Sequence, residues 1–375
     1  MSRAHDPRPI FRCVETTVAV IVTAAVICLH VIVLLHAGGL WRDEVNSVSF
    51  AAMPSLAEMW ANLRYTSIPA LSLVVTRLWL AVVGPSDFGL RVLGFIVGMS
   101  IVAAFWFNAK ALGFRFPLVS LLLLGFNATV IRWGDSIRPY GLGMLLALGT
   151  FTLMWRVVDA PNPMRILLAM IGAVLSVQCI YPNAFVILGL CLAGMAVAAR
   201  RGQWQRCVLV AGIGLVAALS LLPNLVHLKA EMEWAMVLQH QITVGSILGK
   251  VAEALGSPWP AMFWVWICLF ALSVAGTLYL LLRFPNDKRT EIAVFAAVSM
   301  LTAAFGFFFG WIRTASYVTR PWNYLPLMAP VAISLDTILG MLTHLDIVQE
   351  ARTIGVVILS ALSFQIGRAS CRERV

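Results

Sequence analysis

The stretch VETTVAVIVTAAVICLHVIVLLH, Val14–His36, decides the fold. About 20 consecutive apolar residues in a helix cross the ~30 Å hydrocarbon core of a bilayer. This run has one acid, Glu15, and follows Arg3, Arg8 and Arg12. It exceeds the ~7–15-residue core of a secretory signal, so it reads as a first spanning helix with its N-terminus in the cytoplasm. The same texture recurs at Phe88–Phe107, Phe116–Trp133, Tyr140–Val158, Ile166–Tyr181, Ala184–Ala199, Cys207–Val226, Ala261–Leu282, Ile292–Trp311 and Trp322–Leu342, with an incomplete run from Thr353. Of 375 residues, 61% are apolar and 12% charged. That is half the ~25% charge of a soluble domain, which excludes a soluble enzyme, a disordered chain and a nucleic-acid module. The expected fold is an all-α, polytopic integral membrane protein of about 11 transmembrane helices.

Ile68–Val83 is apolar but short and carries Arg77 in its middle. The positive-inside rule arbitrates. If this segment does not cross, 14 basic residues fall inside and 10 outside; if it crosses, the basic loops near 110–115, 156–165, 200–206 and 283–289 all move out. Ile68–Val83 is therefore expected along the outer face, with Pro54–Arg64 as a second juxtamembrane helix in a first external loop of about 37–87. A second large external loop spans about 227–260. Residues 1–365 form the membrane domain. The tail Ile366–Val375 resembles translated sequencing-adapter read-through, so the natural chain is expected to continue beyond Gln365. The seven cysteines are scattered, with no CxxC and no Cys/His cluster, so neither metal nor cofactor is expected.

Three polar groups fall on the outer face. Trp41-Arg42-Asp43-Glu44 follows the first helix; an Asp there can take a proton from an attacking hydroxyl, or the acids simply end a helix. Arg132-Trp133-Gly134-Asp135-Ser136-Ile137-Arg138-Pro139-Tyr140 reads equally as a phosphate-holding rim or as an aromatic-belt turn. Arg313, Tyr317, Arg320, Trp322 and Tyr324 form the third, with Arg91 beside them. Outer arginines run against the topological trend and so favour an anionic ligand. His30 and His36 stand singly, and Asp336, His344 and Asp346 are expected at the inner interface.

In order, the outer Asp-Glu, Arg77-Leu78-Trp79-Leu80, Ser86-Asp87-Phe88-Gly89-Leu90-Arg91-Val92-Leu93-Gly94, Ile137-Arg138-Pro139-Tyr140-Gly141-Leu142 and Tyr324-Leu325-Pro326-Leu327 closely resemble the bacterial branch of the dolichyl-phosphate-mannose protein mannosyltransferase clan. This branch includes Rgt-like and aminoarabinose transferases of the GT-C fold. The match is strongest from Trp41 to about Val158. The resemblance implies a GT-C-like bundle in the bacterial cytoplasmic membrane with its site facing the periplasm. The implied activity is inverting transfer of a sugar from a polyprenyl-phosphate donor to an envelope lipid, glycan or protein. It implies Asp43 as catalytic Asp and Glu44 as companion acid. Arg91, Asp135, Arg138, Tyr140, Arg313, Arg320 and Tyr324 are the expected substrate-binding residues. The chain departs from the family pattern at Ile68-Pro69-Ala70, Ser136 and Asn323, which bears on acceptor identity. A transporter or flippase of lipid-linked glycans is the rival reading; it calls for ionisable groups or broken helices at mid-membrane. A non-catalytic envelope scaffold is a third.

Overall fold

Helix α1 (Pro9–His36) runs the length of the bundle and delivers the chain to α2 (Arg42–Ala51) and α3 (Leu56–Asn62). The computed structural model describes residues 9–230, 243–314, 319–343 and 345–373, without the side chains of 9, 10, 12, 311–314 and 366–373. The Arg313 side chain, Tyr317, His344 and the side chains of the tail from Ile366 lie outside the described residues. Every regular element described is helical, and nine helices among the described residues are long and apolar enough to cross a membrane. The protein is an all-α, multi-pass membrane protein.

Helix α4 (Ala70–Val83) has 14 residues, rising only about 21 Å, and it does not leave the end of the bundle where α2 sits. The Arg77 guanidinium donates to the carbonyl oxygens of Ala51, Met53 and Pro54, so its charge meets the carbonyl end of α2 instead of lipid. Trp79 Nε1 donates to Gly89 O at 2.8 Å. Phe50, Met59, Leu63, Ile68 and Leu73 give this first loop a small core of its own. Helix α5 (Asp87–Leu112) then begins at a Ser86 cap, whose Oγ accepts from Gly89 N–H, and stops at Gly113, where φ is +85°.

The expected continuous span Phe116–Trp133 is broken. A short α6 (Leu118–Ser120) passes into a π-helical turn, Leu121–Gly125, and the chain restarts as α7 (Ala128–Gly134). Asn127 is the cause. Its Oδ1 accepts from Val130 N–H at 3.0 Å as a helix cap, and its Nδ2 donates to Ala254 O at 2.8 Å. An Asn side chain competes with the backbone ladder in a helix interior and is favoured at the cap.

The remaining elements are α8 (Pro139–Asp159), α9 (Pro163–Cys179), α10 (Asn183–Arg200), α11 (Trp204–Ser220), α12 (Val244–Leu255), α13 (Ala261–Arg283), α14 (Lys288–Thr314), α15 (Leu325–Met341) and α16 (Asp346–Glu373). Pro139 and Pro163 occupy first-turn positions, where a missing N–H costs nothing. The span that includes α15 is 94% buried, against 22% for the one that includes α11; α15 is therefore the axis, and α11 borders lipid. Aromatic pairs such as Phe151–Phe295, with centroids 5.2 Å apart, fill the space between α8 and α14.

The basic loops gather at one end. Arg201 makes a two-pronged bond to Glu291, Lys288 pairs with Asp159 at 2.9 Å, and Arg206 donates to Val158 O. Just inside this end lies a buried cluster. Arg352 Nη2 donates to Glu15 Oε1 at 2.7 Å, Gln349 reaches Glu15 Oε2, and Asp336 lies 3.9 Å from Arg352. Asp336 is not interfacial as expected. It is fully buried and accepts from the backbone N–H groups of Val119 and Ser120. Those amides open α6, and a carboxylate is the ordinary partner for such orphan donors.

Candidate functional site

A cavity of about 640 Å³ opens at the end opposite the basic loops. Its wall draws on α1 (Val33, Leu34, His36), the Gly39–Trp41 connection, Glu44 of α2, Arg91 and Phe95 of α5, and Thr129, Arg132 and Trp133 of α7. Asp135, Ser136, Glu253 of α12, Ser257, Pro258, Pro321 and Trp322 complete it. The break in Phe116–Trp133 matters here. It frees α7 to stand beside the cavity, and Thr129 N–H and Asn127 then tie it to Ser257 and Ala254.

Of the two adjacent acids, Glu44 is the buried one. Its Oε1 accepts from Arg91 Nη1 at 2.7 Å and from Ile137 N–H at 3.3 Å, and its Oε2 accepts from Trp41 N–H at 2.9 Å. A buried carboxylate so fully satisfied is a fixed post that joins the first loop, α5 and the α7–α8 turn. Arg91 Nη2 also donates to Gly39 O at 2.7 Å. Arg138, buried, donates to Ser47 Oγ at 3.0 Å and lies over Tyr140. Two of the four arginines expected to hold a ligand are thus engaged in holding the protein, although Arg91 still borders the cavity. Asp43 is half-buried and more open than Glu44; among the described residues its carboxylate meets only Arg42 Nε, at 3.2 Å. It sits a third of a helical turn from Glu44, on the flank facing Tyr140 rather than among the cavity-lining residues.

The third expected group is divided. Tyr324 is buried, with its hydroxyl 2.8 Å from Thr319 Oγ1 and its ring against Phe307. Arg320 is exposed next to Pro321, which does line the cavity. The Arg313 side chain is outside the described residues.

Three further features mark the site, of which only Arg132 belonged to an expected phosphate-holding rim. Trp41, Trp133 and Trp322, from three distant parts of the chain, form one aromatic cluster on the cavity wall, with centroids 5.1, 5.9 and 4.2 Å apart. Arg132 is exposed there, its guanidinium 5.6 Å from the Trp133 ring, and it meets no carboxylate among the described residues. His30, read from the sequence as solitary, is paired: Asp135 Oδ2 and Oδ1 lie 2.7 and 2.9 Å from His30 Nδ1, both residues buried. Burial pushes the Asp135 carboxyl up from its ordinary range, against the lowering influence of His30. The signal for this pair was present as Gly94-Phe95-Ile96-Val97-Gly98. A Cβ on Gly94 would overlap the Asp135 carbonyl, and one on Gly98 would overlap the Asp135 carboxylate and come 2.8 Å from His30 Nδ1.

The chain matches no model of a known protein family and no curated protein.

Proposed function

We propose that this protein is an inverting glycosyltransferase that takes a sugar from a polyprenyl-phosphate donor in the cytoplasmic membrane and passes it to an envelope acceptor at the outer face. The observation that carries the reading is the composition of the cavity. It opens at one end of an apolar bundle, has an aromatic wall, and holds an exposed arginine with no carboxylate partner among the described residues. Those are the recognition elements for an amphiphile with an apolar tail, an anionic phosphate and a sugar ring.

In this reading the donor phosphate rests on Arg132 and the sugar lies against Trp41 and Trp322. The acceptor approaches from the α2–α3 flank, where Asp43 is accessible. Its hydroxyl oxygen attacks the anomeric carbon from the face opposite the phosphate. The bond from that carbon to the phosphate oxygen breaks, polyprenyl phosphate leaves, and the hydroxyl proton passes to Asp43. Glu44, Arg91 and Arg138 act by holding the frame.

The test compares wild type with Asp43→Asn in proteoliposomes supplied with a polyprenyl-phosphate sugar. Turnover by the variant should fall by about 10²–10⁴; equal turnover removes Asp43 from the mechanism. A flippase of lipid-linked glycans is the second reading. The broken helix at Phe126–Asn127 and the buried His30–Asp135 and Glu15–Arg352 pairs favour it, because such features mark transport paths. Sugar crossing the vesicle without formation of a glycosidic bond would select it.

A further inference from the structure

The His30–Asp135 pair has no part in the transfer chemistry above, yet the chain makes considerable room for it. Two glycines of α5 are positioned so that any side chain would displace Asp135. Asp135 is a cavity-lining residue, and His30 stands directly behind it on α1. A carboxylate on the wall of a cavity meant for an anion is a contradiction unless its charge is cancelled. Glu44 is cancelled by Arg91, and Glu253 by Lys250 at 2.6 Å. Among the described residues, Asp135 has only His30.

We infer that the His30–Asp135 pair is the proton-carrying element of this cavity: with one proton shared across it, the cavity accepts a phosphodiester monoanion, and without that proton it does not. The inference rests on the donor reading given above. The titratable and charged groups facing the pair around the cavity are His36 on α1, Glu44 on α2, Arg91 on α5, Arg132 on α7 and Glu253 on α12. With the pair protonated, the Arg132 charge stands alone; with the pair deprotonated, one negative charge on Asp135 offsets it. The proton belongs to the pair as a unit, as imidazolium–carboxylate or as imidazole–carboxylic acid. The raised carboxyl of Asp135 agrees with a proton held on the pair.

The test uses the full chain in nanodiscs and a short polyprenyl phosphate methyl diester, whose single charge is constant between about pH 5 and pH 9. The uncharged polyprenol is the control. Wild-type affinity for the diester should fall about tenfold as pH rises through the titration of the pair, while polyprenol binding stays flat. Asp135→Asn, an isostere of the protonated acid, should bind at alkaline pH as wild type does at acid pH, with a flat profile. His30→Gln should move the midpoint of the profile, which keeps the test open if Asp135→Asn folds poorly. Diester binding with a profile that neither variant changes would overturn this inference and leave the donor reading standing. No diester binding at any pH would remove both.

Discussion

The two buried ionic clusters, one at each end of the bundle, use the same kinds of residue to opposite effect. Near the basic loops, Arg352 lies among Glu15, Gln349 and Asp336, and Asp336 in turn holds the first amides of α6. This cluster is enclosed by helices, and its geometry joins α1, α6, α15 and α16. At the other end, His30 and Asp135 are equally buried, but one side of the pair belongs to a cavity wall. A charge enclosed by protein can only hold structure together, whereas a charge on a cavity wall can also answer to a ligand. Substitutions at the two ends should therefore separate stability from binding.

The largest stability effect is expected at the closed cluster. Arg352→Ala leaves Glu15 and Asp336 buried without their cation, a loss of about 3–5 kcal/mol. Thermal unfolding in detergent measures it, and the surviving folded fraction should bind the lipid diester as wild type does. Gly98→Ala comes next. Its Cβ falls on the Asp135 carboxylate, and overpacking of this kind costs about 1–3 kcal/mol. Here melting temperature and diester affinity should fall together; an affinity that survives would break the link drawn between the pair and the cavity.

A pH response is expected at the cavity end. Asp135 has a folded value raised above the ordinary carboxyl range. Its contribution to stability is therefore complete below that range and is lost as pH rises through the folded value. Asp135→Asn should remove that slope from a plot of melting temperature against pH, and an unchanged slope would assign it to another group. The smallest structural effect is expected at Arg132→Ala: melting temperature unchanged, diester affinity about tenfold weaker. A stable variant with unchanged affinity would move the phosphate elsewhere.

Much of the bundle was readable from composition and run length, because a span needs only enough apolar residues in sequence. Charge balance set Ile68–Val83 apart from the spans; there Ala70–Val83 forms a helix shorter than the candidate spans, with Arg77 turned to the carbonyls of Ala51 and Pro54. What escaped the reading depends on partners distant in the chain. His30 and Asp135 are 105 positions apart, and Val119 and Asp336 are 217 apart; Gly94 and Gly98 mark a close approach to α5 but do not name the partner. The break at Asn127 was a cap hidden in an apolar run, and run length averages over such a residue. Among the arginines expected on the outer face the sequence carried no ranking. Only geometry separates Arg91 and Arg138, already bonded to Glu44 and Ser47, from the exposed Arg132.

Glu44 also bears on how the protein is made. Its carboxylate is completed by groups at positions 41, 91 and 137, and a ribosome delivers these in that order. Until Ile137 has been made, the carboxylate lacks the last of its three partners, although α2 already packs on the first-loop core. The cavity wall is thus assembled late relative to the helix that begins it.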